Sequence, residues 1–363
     1  LSHGFRDNAT RLRRREGERG REKAGRPAWR ERGGGRVISG SRWNLLMNIV
    51  ATHSATHEVA VSFPSSSADH VDHADAIFRA AGRLLPVLEN GQVITTTQLG
   101  AAMTASFGGT DAQGFWIWKD AYDAAEAAQV LFLQKYGPAI VSGSASSPAT
   151  LAMLTKIVRL APTHTRRSQE SEALQQFSTP IPLGFVAARA AAITTSDLVL
   201  EPSDGTGLLA VFASIAGPRL VLNEFSETRA DILKQLFPAY PAAHYDAAHI
   251  DDFLPACIDP SVILMNPPFS VGAHVEGHVT DAAWRHLSSA FARLRPGGRL
   301  VAITGSGLTP ENPKWRAPFE RLQQAGRVVF TAAVDGRVYA RHGTTAETRL
   351  TVIEKVPAAD PSH

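Results

Sequence analysis

The spacing of apolar residues changes twice along the chain. Before Met47 they are sparse among polar and charged residues. From Asp72 to about Arg159 they recur at helical intervals. Ala76, Ile77, Ala80, Leu84, Leu85 and Leu88 form one stripe, ended by the helix-stop pair Asn90-Gly91. The same period predicts helices over Thr95–Phe107 and Ala112–Tyr136, the latter closed by Gly137-Pro138, and a shorter one after Pro148. After Gln169, short apolar runs alternate with helical stretches. Strands are expected at Asp197–Glu201, Leu220–Glu224, Ala242–Asp246, Val262–Asn266, Arg299–Thr304, Arg327–Val334 and Thr348–Val356. Between them, Leu208–Ala216, Glu227–Phe237 and Asp281–Leu294 carry helical periodicity. This alternation predicts an α/β fold: a doubly wound, mostly parallel, seven-stranded Rossmann-like sheet preceded by a helical region.

The expected divisions are a disordered basic extension (1–46), a linker (47–71), the helical region (72–170), the sheet domain (171–356) and a tail (357–363). Residues 1–46 carry 13 Lys/Arg against 5 Asp/Glu, so the rest of the chain is mildly acidic although the whole has a net charge of +3. The extension cannot bury enough surface to offset its ordering entropy. The chain opens at Leu1, and Met47 begins more ordinary sequence, so 1–46 reads as an upstream extension. Over the whole chain, 44% apolar and 20% charged residues suffice for a packed core. The single cysteine, Cys257, excludes a disulfide framework and a cysteine-rich zinc site, and it fits a reducing cytoplasm. No run reaches the roughly 18 apolar residues of a membrane helix.

Two turns carry the chemistry. The first is Leu198-Val199-Leu200-Glu201-Pro202-Ser203-Asp204-Gly205-Thr206-Gly207: a strand, a glycine turn and a helix start, with an acid, Glu224, ending the next strand. Glycines allow positive φ and close approach of a ligand, and a carboxylate so placed suits ribose hydroxyls. The full dinucleotide fingerprint is absent. The acidic turn would repel a pyrophosphate but tolerates a sulfonium and an ammonium, which favours S-adenosylmethionine over a dinucleotide. The second is Ile263-Leu264-Met265-Asn266-Pro267-Pro268-Phe269, at another strand's carboxyl end. The Asn266 side-chain oxygen and the Pro267 main-chain oxygen can accept both N–H bonds of an exocyclic or amide nitrogen, freeing its lone pair for attack. Prolines remove competing donors, and Phe269 offers a face to a planar base.

With these motifs in order, the chain from about Gln175 to Val356 resembles class I S-adenosylmethionine-dependent methyltransferases of the N6-adenine type. Phe177-Ser178-Thr179-Pro180 resembles the family's first motif, implying that Phe177, Thr179 and Pro180 help hold the methionine part of the cofactor. The resemblance assigns Glu201, Pro202, Ser203, Gly205 and Gly207 to the glycine loop, Glu224 to the ribose and Asp246 to the adenine, with Asp252 competing for that last role. It assigns Asn266, Pro267, Pro268 and Phe269 to catalysis. Arg295-Pro296-Gly297-Gly298-Arg299 resembles the turn before the fifth strand, and Gly343–Lys355 the closing hairpin strand. Asp204 departs from the pattern, which has a small residue there, and a carboxylate beside the cofactor's own implies weaker binding. No target-recognition segment follows the last strand.

From Met47 onward the chain is also similar to the amino-terminal part of bacterial strawberry notch-like proteins, where a methylase-like region precedes a helicase region. The implied activity is methyl transfer to adenine N6 in DNA, on a flipped or unpaired base, alongside a helicase. No Walker loop is present, so any helicase region lies outside this chain or is missing. Two alternatives stand: methylation of RNA or of protein glutamine, and a non-catalytic DNA-handling module. The Phe115-Trp116-Ile117-Trp118 cluster reads as helix and core, with base stacking the alternative. The pairs His53/His57, His70/His73 and His274/His278 lack matching carboxylate sets, and no metal is expected. Arg166, Arg167, Arg337, Arg341 and His342 flank the site as phosphate contacts or as solvated surface.

Overall fold

A computed structural model describes residues 68–166, 177–268 and 281–362. Seven strands form one sheet: β1 Leu198–Glu201, β2 Arg219–Asn223, β3 Ala242–Ala243, β4 Val262–Met265, β5 Arg299–Gly305, β6 Arg327–Val334 and β7 Thr348–Glu354. Their order is β3-β2-β1-β4-β5-β7-β6. The first five run parallel, with Leu200 beside both Val221 and Ile263. Strand β7 returns antiparallel between β5 and β6. The order reverses at β1, between β2 and β4, where the crevice beyond the strand ends can take a ligand.

Alternation of side chains divides the core between the two faces. On one face Val199, Leu220, Leu222, Val262, Leu264 and Val301 pack in one cluster with the amino-terminal helices. These are α1 Ala68–Glu89, α2 Thr96–Phe107, α3 Trp118–Gly143 and α4 Ser147–Val158. Helices α5 Ile181–Ala191, α6 Ala210–Ile215 and α7 Glu227–Leu236 share that face. On the other face Leu200, Val221, Ile263, Met265 and Leu300 pack on α8 Ile250–Phe253, α9 Ala282–Arg293 and α10 Pro313–Gln323. The amino-terminal helices thus share a continuous core with the sheet.

Several boundaries differ from the sequence expectation. Helix α3 passes through Gly137-Pro138 to Gly143. Gly137 serves packing: a Cβ there would meet Ile215 Cδ1 at 2.5 Å. The same helix begins only at Trp118, because Gly114 turns the chain with φ +80°. Trp116 is buried with its indole N–H on the Gly109 carbonyl, whereas Phe115 and Ile117 are exposed. The aromatic cluster is therefore mostly not helical and only partly core. Strand β3 stops at Ala243, since the Asn223 amide captures Tyr245: its Oδ1 accepts the Tyr245 N–H, and its Nδ2 donates to the Tyr245 carbonyl. Helices α5 and α10 were not expected. Both open on prolines, tolerated in a first turn whose N–H groups lack partners anyway.

Candidate functional site

The glycine turn leaves β1 with Gly205 at φ +65° and Gly207 at φ +89°. A Cβ at Gly207 would lie 2.5 Å from Phe237 Cε2, so glycine is required there twice over. The Glu224 carboxylate ties this turn to the start of α7, accepting the Gly205 N–H at 2.8 Å and the Ser226 N–H at 2.9 Å. Beyond the carboxyl ends of β1, β2 and β4 opens a cavity of about 300 Å³. Expected residues on its wall are Phe177, Thr179, Pro202, Ser203, Gly205, Glu224, Asp246, Asn266 and Pro268.

Others stand behind the wall. Pro180 begins α5. Glu201 is 1% exposed beneath the turn, Gly207 packs on Phe237, and Pro267 is buried. Asp246 caps the following turn by accepting the Ala248 N–H, whereas Asp252 is exposed and off the wall. Phe269, Arg167, His53, His57, His274 and His278 lie outside the described residues.

Asn266 has a defined orientation. Its Nδ2 donates to the Phe177 carbonyl at 3.2 Å and to Thr179 Oγ1 at 3.0 Å. A carbonyl can only accept, so the amide nitrogen must point there. Among the described residues, Oδ1 has no hydrogen-bond partner at the cavity. That is an acceptor waiting for an N–H donor. Tyr339, fully buried, approaches Asn266, and burial pushes its phenol well above the ordinary range.

Glu201 and Asp204 are buried side by side, and no other side chain among the described residues donates to their four oxygens. Burial first, and the neighbouring carboxyls second, push Glu201 up strongly; burial and the Glu224 charge bring Asp204 to about 8. A proton held between them keeps the pair from full ionisation near neutrality. A cation in the cavity would displace it, so the donor set suits a sulfonium or an ammonium.

Sequence reasoning missed Ser178, Phe225, Arg229, Ala247, Ala248, Ala282, Arg285 and His286 on the wall. Phe225 directly follows Glu224, and its ring stacks on His244 at 6.0 Å, leaving it half exposed as a face for a planar group. Its place after the strand-ending acid was the available signal. His286 is held neutral by burial, at about 4. Arg229 is buried in a bidentate pair with Asp123 of α3.

A second cluster went unseen because its members are far apart in sequence. Glu126 of α3, His164 and His342 bring ligand-type atoms within 4.8 Å of one another. Glu126 Oε2 accepts the Ser178 and Thr206 hydroxyls, both at 2.6 Å, and His342 Nδ1 is 3.3 Å from Oε1. Burial opposes the charge, but the His342 hydrogen bond and the neighbouring His164, His342 and Arg229 hold Glu126 well below the usual range; burial lowers His164 to about 4. Of the expected phosphate contacts, His342 is thus internal and Arg341 donates to the Ala161 carbonyl. Arg166 lies over Trp118 at 4.6 Å, and Arg337, exposed, pairs with Asp335. His73 faces Asp120 at 3.2 Å.

No family model matches the chain. It is 26% identical over 155 residues to the ribosomal RNA large subunit methyltransferase G of Shewanella loihica, covering 38% of this chain and 37% of the relative. The chain therefore spans little more than a third of that protein's length. Among solved structures, Thermus thermophilus TrmN is 24% identical with a TM-score of 0.38, over 52% of each chain. A Listeria monocytogenes protein described as a class I S-adenosylmethionine-dependent methyltransferase is 11% identical with a TM-score of 0.44, over 81% of this chain and 92% of that one. Scores this low add nothing to the strand order, which by itself defines the fold.

Proposed function

We propose that the chain is an S-adenosylmethionine-dependent N-methyltransferase whose acceptor is an exocyclic amino group of a nucleic-acid base, N6 of adenine in DNA. The observation that carries this reading is the Asn266 amide, whose nitrogen is committed to Phe177 and Thr179 and whose oxygen is left for an acceptor N–H. The residues present fit the cofactor. Asp204, backed by the buried Glu201, offers a carboxyl to its cationic groups, Glu224 and Asp246 face its ribose and adenine, and Phe225 flanks the ring. When bound, it supplies an electrophilic methyl group on a sulfonium.

Asn266 Oδ1, with the Pro267 carbonyl, accepts the acceptor's two N–H bonds and directs the nitrogen lone pair toward that methyl. With the donor bound, a nitrogen–methyl bond would replace its sulfur–methyl bond, and the surplus proton on nitrogen would go to solvent. Rate then comes from orientation and hydrogen bonding. Phe269, adjoining Pro268, supplies the stacking face for a base taken out of its stack. A helicase region on the same or a neighbouring chain would supply unpaired DNA, and the reading places the protein in the cytoplasm. No described helix is long and apolar enough to cross a membrane.

An RNA acceptor is the second reading, favoured by the likeness to the Shewanella ribosomal RNA enzyme. Transfer of labelled methyl from S-adenosylmethionine to double-stranded DNA, single-stranded DNA and RNA, followed by nucleoside analysis, separates the two. Label in N6-methyladenine of DNA supports the first and label confined to RNA the second. No label in any polymer overturns both.

A further inference from the structure

The Glu126 cluster lies outside the motifs, yet it touches two of the loops that form the cavity. Glu126 projects from α3 of the amino-terminal helices and is 1% exposed. One of its oxygens takes both hydroxyls, Ser178 Oγ and Thr206 Oγ1. Ser178 sits between Phe177 and Thr179, the two residues that hold the Asn266 amide. The three-residue segment is therefore pinned on opposite sides, by Glu126 through its middle residue and by Asn266 through its outer ones. Thr206 sits between Gly205 and Gly207, both at positive φ. Glycine-flanked backbone moves at little cost, so a side-chain tether is what fixes such a turn.

The other Glu126 oxygen faces His342, from the β6–β7 connection, and His164, which follows α4. The backbone of those two connections is joined as well, by the His164 N–H on the Arg341 carbonyl at 2.8 Å. One carboxylate thus gathers four separate pieces of chain around the cavity. Its charge and that of Asp123 are balanced nearby by Arg229 and Lys119. Hydrogen bonds already meet both oxygens, the arrangement of a satisfied anchor.

We propose that Glu126 is a positioning residue for methyl transfer. Through Ser178 and Thr206 it sets the first-motif segment and the glycine turn against each other across the cofactor cavity, and through Thr179 it sets the amide of Asn266. The amino-terminal helices are then part of the donor site itself. This inference rests on the methyl-donor reading of the cavity.

The test uses the full chain and compares S-adenosylmethionine affinity, measured by calorimetry on folded protein, with thermal unfolding measured without cofactor. Ser178→Ala and Thr206→Val each remove one tether and should weaken cofactor binding by roughly tenfold. Glu126→Gln keeps an acceptor oxygen and should stay within about threefold of the wild type, whereas Glu126→Leu should lose more than either single tether variant. If both tethers act through Glu126, the Ser178 and Thr206 losses should vanish in the Glu126→Leu background. A purely structural role would lower the unfolding temperature and leave the affinity of the folded fraction unchanged.

Tether variants that bind within twofold of the wild type would overturn the proposal, even if Glu126→Leu fails to fold. So would losses that persist undiminished in the Glu126→Leu background. Stoichiometric zinc in the purified wild type, lost in Glu126→Gln, would overturn it differently, by making Glu126 a metal ligand. Failure of the wild type itself to bind S-adenosylmethionine would instead overturn the donor reading beneath it.

Discussion

Cofactor binding should expel a proton from the Glu201–Asp204 pair and therefore depend on pH. Asp204 is 6% exposed, and burial with the Glu224 charge raises it from an ordinary 3.8 to about 8; Glu201 is also raised well above its ordinary range by burial and the neighbouring carboxyls. A carboxyl raised in the folded state keeps its proton at pH values where the unfolded chain has lost it. The Asp204 contribution to the stability of the cofactor-free protein should thus fall as pH rises from about 4 to about 8, and Glu201 extends the loss in the same direction. A cationic ligand favours the ionised pair and reverses the trend for binding. Below about 8, one expelled proton gives at most a decade of affinity per pH unit. Between pH 6 and pH 8 the limit is about a hundredfold, or about 2.7 kcal/mol. Calorimetry in buffers of different ionisation enthalpy counts the released protons directly. Asp204→Ser removes the charge that Glu201 must face, so the proton should leave at lower pH and the gain between pH 6 and pH 8 should shrink. Binding with no proton release and flat affinity across that range would refute the reasoning.

Three further outcomes follow from the same geometry. Asn266→Ala should abolish methyl transfer while S-adenosylmethionine affinity stays within a few-fold; parallel calorimetry and transfer assays check this, and loss of both together would contradict it. Gly207→Ala forces a Cβ into the left-handed region and against Phe237, and should cost roughly 2–4 kcal/mol in urea unfolding. Arg229→Met leaves Asp123 buried without its bidentate partner and should cost about 3–5 kcal/mol by the same measurement, more than any exposed Arg-to-Met change.

The strands were legible because each apolar run is short, bounded by turns and followed by a helical stretch, so that Val262–Met265 and Arg299–Gly305 could be placed within a residue or two. Helices α5 and α10 were not: Pro182, Pro313 and Pro318 interrupt their apolar spacing, and only the fold shows the first two within a tolerant first turn. Gly137 looked like a helix stop for a similar reason; its purpose is contact with Ile215, remote in sequence. At the site, Asn266 and the glycine turn were visible as contiguous motifs. The orientation of the Asn266 amide was not, since it depends on Phe177 and Thr179. Nor was Glu126, one acid on a long helix, whose partners Ser178, Thr206 and His342 lie 52, 80 and 216 residues away. Such contacts leave no local spacing to read.

The most direct test of the central claim is equilibrium binding of S-adenosylmethionine to the full chain by calorimetry. We expect saturable one-to-one binding that is competed by S-adenosylhomocysteine and retained in Asn266→Ala. No heat of binding, even at millimolar cofactor, would contradict the assignment of the cavity at the ends of β1 and β4.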